Sequence, residues 1–250
     1  MTQTKKPNTW IYGVNPVTEA VRHGRKCEAL YVGQWIKGER LDALQDMARR
    51  REIPVKTVGR DFFDRFGGAV HQGVCASAEP AVARSLQEVF DEAVKNPAPA
   101  LFLILDGVED LGNMGAILRV CDAAGVSGVV FQSHRSAGIG PAVEKASAGA
   151  AWFVPLCEVP NIKHAMRFFG QNGIAVIGAQ NGVAKTPWEA DFKIPLALVL
   201  GSEEKGLRRT VAEQCDMLVG LPHLGKVGSL NVSVAAGIFL FECLRQRRAV

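Results

Sequence analysis

From Ala100 to the end of the chain, short apolar segments alternate with longer segments of helical periodicity. This alternation is typical of a parallel β-sheet whose two faces are covered by helices, so the sequence predicts a mostly parallel α/β domain over residues 99–250. The expected strands are Leu101–Leu105, Gly128–Phe131, Phe153–Leu156, Ile174–Gly178, Ala197–Leu200 and Met217–Leu221. The expected helices are Asn113–Ala124, Pro141–Ala150, Asn161–Gln171, Arg208–Cys215 and Asn231–Arg247.

The first 80 residues have the pattern of a smaller α/β domain. Asn15 is the expected N-cap of its first helix, with Pro16 at the first helical position. After residue 80, prolines flank one amphipathic helix, Ser85–Lys95, which predicts a linker over residues 81–98. The strands expected in the small domain are Trp10–Tyr12, Ala29–Val32, Pro54–Val58 and Gly73–Ala78.

Composition narrows the class of protein. The net charge is only +4, but arginines cluster, as at residues 49–51 and 208–209, which fits either a polyanion-binding surface or a solvated face. The six scattered cysteines are typical of reduced core thiols, and the five histidines lack metal-ligand spacing, so no metal is expected. No apolar run approaches the roughly 20 residues of a membrane span, and the N-terminus MTQTKKPNTW lacks the apolar core of a secretory signal. A cytoplasmic protein is therefore expected.

One stretch near the C-terminus, residues 218–242, joins a short strand to a helix that is apolar at nearly every position. A helix without a wide polar face is expected to be buried on most sides. Its first turn holds Ser229, Asn231 and Ser233, where a glycine-rich loop meets the helix and unpaired backbone N–H groups converge. Two interpretations of these polar side chains stay open: a ligand site, or a simple N-cap.

Three loops follow the ends of expected strands, with the sequences DGVEDLGN, GSEEKG and PHLGKVGSLN. Ligands of open α/β sheets bind at the carboxyl ends of strands, so these loops define the candidate site. The first loop brings Asn113, which is placed to cap its helix, and Arg119 follows within that helix. Because an arginine among apolar residues is costly to bury alone, Glu203 of the second loop is a candidate partner, in catalysis or as a structural ion pair.

Two common nucleotide-binding motifs do not fit. No G-x-G-x-x-G follows the first strand of the large domain, which disfavours a dinucleotide site. The segment from Gly220 to Val227 matches G-x-x-x-x-G-K, but Val227 replaces the magnesium-binding Ser or Thr of a Walker motif.

The same loops carry a family resemblance. The signature motifs of the SpoU (TrmH) family of RNA ribose 2′-O-methyltransferases are similar, in order and spacing, to DGVEDLGNMGAILRVCDAAG, LALVLGSEEKGLRRT and LPHLGKVGSLNVSVAAGIFLFE. The substrate-binding domain of its bacterial RlmB-type branch, which acts on a guanosine of 23S rRNA, resembles WIYGVNPVTEAVRHG and GAVHQGV. The resemblance extends from about Trp10 to Arg248. It implies an S-adenosyl-L-methionine-dependent homodimer with a SPOUT-type α/β knot (a deep trefoil knot) near the C-terminus and an L30e-like N-terminal domain.

The resemblance also implies site residues. Arg119 matches the arginine proposed to act on the ribose hydroxyl, Asn113 and Glu203 the residues that support it, and Ser229 and Asn231 the polar pair of the third motif. Because the pKa of arginine exceeds about 12, an equal hypothesis is that Arg119 orients the ribose or its phosphate. Cofactor contacts are implied at the backbone of Gly201, Leu221 and Leu230.

Three positions depart from the usual family motifs. Glu204 stands where a small residue is usual, Gly228 where serine is common, and Leu111 where proline is usual. These departures bear on the conformation of the loops more than on the activity.

The expected function is 2′-O-methylation of a guanosine ribose in 23S rRNA, in the region of the peptidyl-transferase centre, with free rRNA or a large-subunit precursor as partner. One alternative is methylation of tRNA or of another rRNA site. An alternative of another class is an RNA-binding ribosome assembly factor without catalysis.

Overall fold

The computed structural model describes residues 8–68, 70–226 and 228–248. By its internal contacts the chain divides into two compact units, Met1–Ala81 and Val82–Val250. The start of the N-terminal segment considered as a signal, residues 1–7, lies outside the described residues, as does Val227 of the Walker-like segment. None of the described helices is long and apolar enough to cross a membrane.

The first unit has a four-stranded sheet in the order β1-β4-β2-β3, in which β3 alone is parallel to its neighbour. All four expected strands are confirmed, with small shifts at their ends. Helices cover one face, and the aromatic ring of Phe62 in a 3₁₀ helix stacks on Tyr31 of the other, with ring centroids 4.6 Å apart. The elements are β1 (Thr9–Tyr12), α1 (Val14–Arg22), β2 (Cys27–Gly33), α2 (Glu39–Arg50), β3 (Val55–Val58), the 3₁₀ helix Arg60–Phe66 and β4 (Val74–Ala78).

The prediction that Asn15 caps α1 is wrong. The helix begins at Val14, and its N-cap is Gly13, whose φ of 97° suits glycine. The first N–H of the helix, on Val14, donates instead to Oε1 of Gln72 at 3.0 Å. The capping group thus comes from a residue far away in the sequence, so local pattern could not identify it.

The second unit has a six-stranded sheet in the order β10-β8-β9-β5-β6-β7, and every pairing in it is parallel. This confirms the expected α/β fold. Every residue of β5 and β9 is buried, because helices cover both faces of the sheet. The elements are α3 (Leu86–Ala93), β5 (Leu101–Asp106), α4 (Leu111–Ala124), β6 (Gly128–Gln132), α5 (Pro141–Ala146), β7 (Leu156–Val159), α6 (Ile162–Gln171), β8 (Ala175–Ala179), β9 (Leu196–Gly201), α7 (Arg209–Ala212), β10 (Met217–Val219) and α8 (Val232–Arg248).

Helix α3, expected in a linker, packs into the core of the second unit. Its N-cap, Ser85, forms a capping box with Glu88. Val89 and Ala93 are buried in the same apolar cluster as Phe102 of β5. The helix therefore covers part of one face of the sheet.

Three elements differ most in extent from the prediction. Helix α5 ends at Ala146 rather than Ala150. Strand β7 begins at Leu156 rather than Phe153, because its pairing with β6 starts there and the preceding Pro155 has no N–H for a ladder. Helix α7 has a single turn, and it ends at Ala212 rather than Cys215.

Helix α8 does not have the burial that its composition predicts. Ala236, Phe239 and Leu240 are buried against the core. Ile238 and Phe241, however, are 36% and 49% exposed, on a face that turns away from it. Within one chain, the expectation of a helix buried on most sides is therefore wrong.

Close packing of α4 against α5 depends on Gly115. A Cβ at this position would lie 2.6 Å from the carbonyl carbon of Ala146 and 2.8 Å from the nitrogen of Ser147. We expect Gly115→Ala to lower the free energy of unfolding by about 1–3 kcal/mol, because overpacking outweighs the better helix propensity of alanine. Denaturant titration measures this. The control Gly170→Ala in α6, where nothing lies within 4 Å, should stabilise slightly, and equal stability of the two variants would contradict the packing argument.

Candidate functional site

The three polar loops predicted from the sequence start at one edge of the large sheet. Asp106, the last residue of β5, pairs in register with Gly201, the last residue of β9, so the first two loops leave the sheet side by side. The third loop runs from β10 to α8, and the Asn181 amide donates to the carbonyl oxygen of Gly228 in it at 3.1 Å. Residues far apart in sequence therefore meet at this edge.

Side chains from the three loops form one hydrogen-bonded network. The Asn113 amide donates to Oε2 of Glu203 at 3.2 Å. The Asn231 amide donates to Oδ1 of Asn113 at 2.8 Å and to Oε1 of Glu203 at 3.2 Å. Both carboxylate oxygens of Glu203 are thus held by amides, which fixes the orientation of the carboxylate.

Helix capping explains which side chains are free to join the network. Asp110 caps α4 by accepting from the Asn113 backbone N–H at 2.6 Å, so the prediction that Asn113 itself caps this helix is wrong. The amide of Asn113 is left to reach Glu203. Oδ1 of Asn231 accepts from the Ser233 N–H at 2.9 Å. Asn231 therefore caps the start of α8 with its oxygen while its amide nitrogen donates to the network.

Arg119 and Ser229 are not part of this network. Arg119 is exposed, and its guanidinium makes no hydrogen bond or ion pair with any described residue, so the structural pair with Glu203 is not formed. It lies six residues beyond Asn113, about 240° around the helix and about 9 Å along it. Ser229 is exposed and lines the cavity described next.

A cavity of about 440 Å³ lies beside the network. Gly201, Leu221 and Leu230, the three expected cofactor positions, all line it, as do Glu203 and Phe239. The structure therefore gathers these positions around one space, with apolar walls and a carboxylate at its edge.

Glycine is required at the start of the second loop. A Cβ on Gly201 would overlap the backbone of Gly206 and lie 2.3 Å or less from it and from Leu207. The loop closes through a hydrogen bond from the Gly206 N–H to the Ser202 carbonyl oxygen, 2.8 Å long, with Gly206 at a φ of 61°. This tight turn carries Glu203 to the cavity.

Comparison with known families decides the identity of the fold. Residues 100–241 match the model of the SpoU rRNA Methylase family, and residues 10–82 match a model described as RNA 2′-O ribose methyltransferase substrate binding. The chain belongs to the SpoU methylase family. The resemblance of its three motifs is thereby confirmed.

Relatives of this SpoU methylase cover nearly its whole length. The 23S rRNA (guanosine-2′-O-)-methyltransferase RlmB of Pseudomonas aeruginosa is 39% identical over 95% of this chain and 96% of that protein. The RlmB of Ralstonia nicotianae is 41% identical over 96% of each. Among solved structures, the SpoU methyltransferase AviRb from Streptomyces viridochromogenes, in complex with the cofactor AdoMet, has a TM-score of 0.80 at 24% identity, covering 99% of this chain and 93% of that one.

Sequence reasoning does not identify one half-buried ion pair in this SpoU methylase. The carboxylate of Asp106 is fully buried and accepts from Nε of Arg208 at 2.6 Å and from its backbone N–H at 3.0 Å. Nη2 of Arg208 donates to Oε1 of Gln132 at 2.7 Å. The pair holds the end of the second loop against the ends of β5 and β6. The local signal for this pair is that Asp106, a charged residue, ends the otherwise apolar strand β5.

We expect Asp106→Asn to lower the free energy of unfolding by about 1.5–3 kcal/mol, the range for hydrogen bonds to charged groups, and to weaken cofactor binding through a looser second loop. Denaturant titration and calorimetric titration with S-adenosyl-L-methionine measure the two effects. The surface variant Glu213→Gln, which loses an exposed ion pair with Arg209, should change stability by only a few tenths of a kcal/mol. Identical behaviour of both variants would refute the role given to Asp106.

The cysteines of this SpoU methylase are poor nucleophiles. Burial raises the pKa of Cys75 to about 12 and that of Cys157 to about 11. The thiols therefore stay protonated at neutral pH, and catalysis through a cysteine thiolate is disfavoured. In the described part of the chain no cluster of three His, Cys, Asp or Glu residues has the arrangement to hold a metal ion.

Proposed function

We propose that this SpoU methylase transfers a methyl group from S-adenosyl-L-methionine to the 2′-hydroxyl of a guanosine ribose in 23S rRNA. The observation that carries the proposal is the network of Asn113, Glu203 and Asn231, which joins the three family motifs beside a cavity of about 440 Å³. The RlmB relatives support 23S rRNA as the substrate. Acting on rRNA, the enzyme would work in the cytoplasm.

The residues around the cavity fit the proposed cofactor. Its volume lies in the range of about 300–1,000 Å³ that small-molecule sites have. Leu221 and Leu230 offer apolar surface for an adenine ring, and Glu203 and Glu204 offer carboxylates to cationic groups. When bound, S-adenosyl-L-methionine supplies an electrophilic methyl group attached to a sulfonium. We propose that Gly201, Leu221 and Leu230, which all line the cavity, contact it.

The protein's own contribution is chiefly positioning. Methyl transfer needs the 2′-oxygen in line with the methyl group at about 3 Å, and holding reactants in such geometry can supply much of the rate acceleration. We propose that Asn113 and Asn231 hold Glu203 in place and that Ser229, which lines the cavity, contacts the ribose. Arg119 either orients the ribose and its phosphate or receives the hydroxyl proton.

We propose that the enzyme is a homodimer whose interface includes the outer face of α8. Val234, Ile238 and Phe241 form an exposed apolar stripe at helical spacing. A second copy of the chain is the occupant that the family resemblance supports. The exposed Arg119, which reaches no network residue of its own chain, supports a site completed by the partner's arginine.

The path of the C-terminal chain supports the proposed knot. Strand β10 lies beside β8, so the chain leaving β9 must cross β8 to reach it. The third loop then passes close to residues 180–185: the Gly220 N–H donates to the Lys185 carbonyl oxygen at 2.9 Å, and a Cβ on Gly220 would lie 2.8 Å from the carbonyl oxygens of Gln180 and Val183.

The departures from the family motifs are compatible with activity. No atom lies within 4 Å of a Cβ built on Gly228, so serine and glycine fit there equally. Leu111 is the first residue of α4, the helical position at which proline is also favoured. Glu204 is exposed and lines the cavity, where it adds negative charge.

Incubation of the purified protein with methyl-labelled S-adenosyl-L-methionine and unmodified ribosomal RNA tests the proposal. We expect label in 23S rRNA, recovered as 2′-O-methylguanosine, and none in 16S rRNA or tRNA. Label in tRNA alone would overturn the proposed substrate. Cofactor binding without label in any RNA would overturn the proposed activity in favour of an assembly factor.

A further inference from the structure

A second cavity, of about 560 Å³, borders the same loop as the cofactor cavity. The two cavities share the loop of residues 202–206 and Val232 as part of their walls. Glu203, whose carboxylate is fixed by the two asparagines, lines both. Because a methyl donor and its acceptor must meet at about 3 Å, the acceptor site has to adjoin the cofactor cavity in this way.

The second cavity has a lining rich in functional groups. Most of its lining residues carry polar or charged side chains, and most belong to the loops after β5 and β9. Such a lining offers hydrogen-bond donors and acceptors, which suits a nucleotide with its base edges, ribose hydroxyls and phosphate.

Carboxylates outnumber cations in the lining of the second cavity, five to three. The carboxylate of Asp106 is paired with Arg208, that of Asp110 caps α4, and that of Glu203 accepts from the asparagines. The remaining lining charges are two carboxylates, Glu109 and Glu204, and the cations Arg135 and Lys205. The surplus of carboxylates disfavours a long polyanion, so a phosphate bound here needs one of these cations as its partner.

Two guanidiniums in the lining have N–H groups that make no hydrogen bond with the described residues. Arg208 is held by Asp106 and Gln132 through Nε and Nη2, while its Nη1 makes no hydrogen bond with the described residues. Arg135 is exposed in the loop after β6, and its side chain makes no hydrogen bond or ion pair within the described ranges. Its backbone is held in the left-handed region, at a φ of 58°, which arginine rarely adopts.

We propose that the second cavity receives the nucleotide to be methylated and that Arg135 binds the phosphate of that nucleotide. The inference rests on the proposed function and adds to it the binding site of the acceptor. A planar guanidinium binds phosphate through two parallel N–H groups, which places the attached ribose as well as holding its charge. Arg208 also lines this cavity, and its ion pair with the buried Asp106 makes it a positioning residue.

The test compares Arg135→Ala and Arg135→Lys with Arg167→Ala, an exposed arginine on α6 at the other face of the sheet. Each variant is assayed for kcat and KM with 23S rRNA, for filter binding of 23S rRNA at several salt concentrations, and for calorimetric affinity for S-adenosyl-L-methionine. We expect Arg135→Ala to lower kcat/KM about 10-fold or more and to lower the salt slope of RNA binding by about one. Affinity for the cofactor should stay within about twofold, and Arg135→Lys should restore part of the loss because lysine keeps the charge without the bidentate geometry.

Two results would overturn the inference: wild-type kcat/KM and RNA binding in Arg135→Ala, or an equal loss in Arg167→Ala. Failure of the wild-type protein to methylate any RNA would instead overturn the proposed function. In that event, the RNA affinities and salt slopes of Arg135→Ala and Arg167→Ala still decide whether Arg135 binds phosphate.

Discussion

Replacing Arg119 with alanine is expected to lower kcat for methyl transfer by about 10²–10⁴-fold, the usual contribution of a group that acts on the proton of the reacting hydroxyl. The fold and the cofactor affinity should be retained, since Arg119 is exposed and contacts no residue of the Asn113–Glu203–Asn231 network. Single-turnover kinetics with 23S rRNA and calorimetric titration with S-adenosyl-L-methionine measure the two quantities. Arg209→Ala, at an arginine whose side chain is 89% exposed, is the matched control and should keep its kcat.

The variant Arg119→Lys separates the two roles proposed for this arginine. If Arg119 orients the ribose or its phosphate, lysine should restore part of the rate with an unchanged pH profile. If Arg119 receives the proton, the rate should depend on pH differently, because the pKa of lysine is about two units or more below that of arginine. Full methyl transfer by Arg119→Ala would exclude both roles.

The second large effect is expected at the outer face of α8. Ile238→Asp places a charge in the middle of the apolar stripe that a second copy is proposed to cover. Because an unpaired charge in an interface is strongly disfavoured, we expect the mass in solution, measured by light scattering, to fall from that of two chains to that of one. Methyl transfer should fall with it by more than about 100-fold, since the proposed site needs both chains. Val94→Asp, at a more exposed valine after α3, should leave both unchanged. A dimer that survives Ile238→Asp would place the interface elsewhere.

Mixed dimers test whether Arg119 serves the partner's cavity. Arg119→Ala and Glu203→Ala are each expected to be inactive alone. If the site is shared, a heterodimer of the two has one site with both residues intact, so random pairing should restore about 25% of wild-type activity. No restoration would mean that Arg119 and Glu203 act from the same chain.

Much of the fold could be predicted because its determinants are local. Parallel strands buried on both faces appear in the sequence as continuous apolar runs. Such runs predict all six strands of the large sheet, although the predicted β7 begins three residues before the observed strand. The first and second loops were correctly expected to meet, since parallel strands end at one edge of a sheet. The contact between Asn113 and Glu203 follows from that arrangement.

What the sequence could not predict depends on partners that are distant along the chain. The half-buried pair of Asp106 and Arg208 joins residues 102 positions apart. The capping of α1 uses Gln72, 58 positions from Val14. The sequence pattern predicts that α4 begins at Asn113, whereas the helix begins at Leu111. The N-cap is therefore Asp110 and not Asn113. The sequence also does not predict that the apolar stripe on α8 is exposed. Composition does not tell whether an apolar face is covered by the same chain or by another.

Mapping of ribose methylation in 23S rRNA tests the central claim most directly. Ribosomal RNA is compared from cells with the gene, without it, and without it but carrying either the wild-type or the Arg119→Ala gene. The account predicts that one guanosine of 23S rRNA loses its 2′-O-methyl group in the deletion strain and regains it with the wild-type gene but not with Arg119→Ala. An unchanged methylation pattern of 23S rRNA in the deletion strain would contradict it.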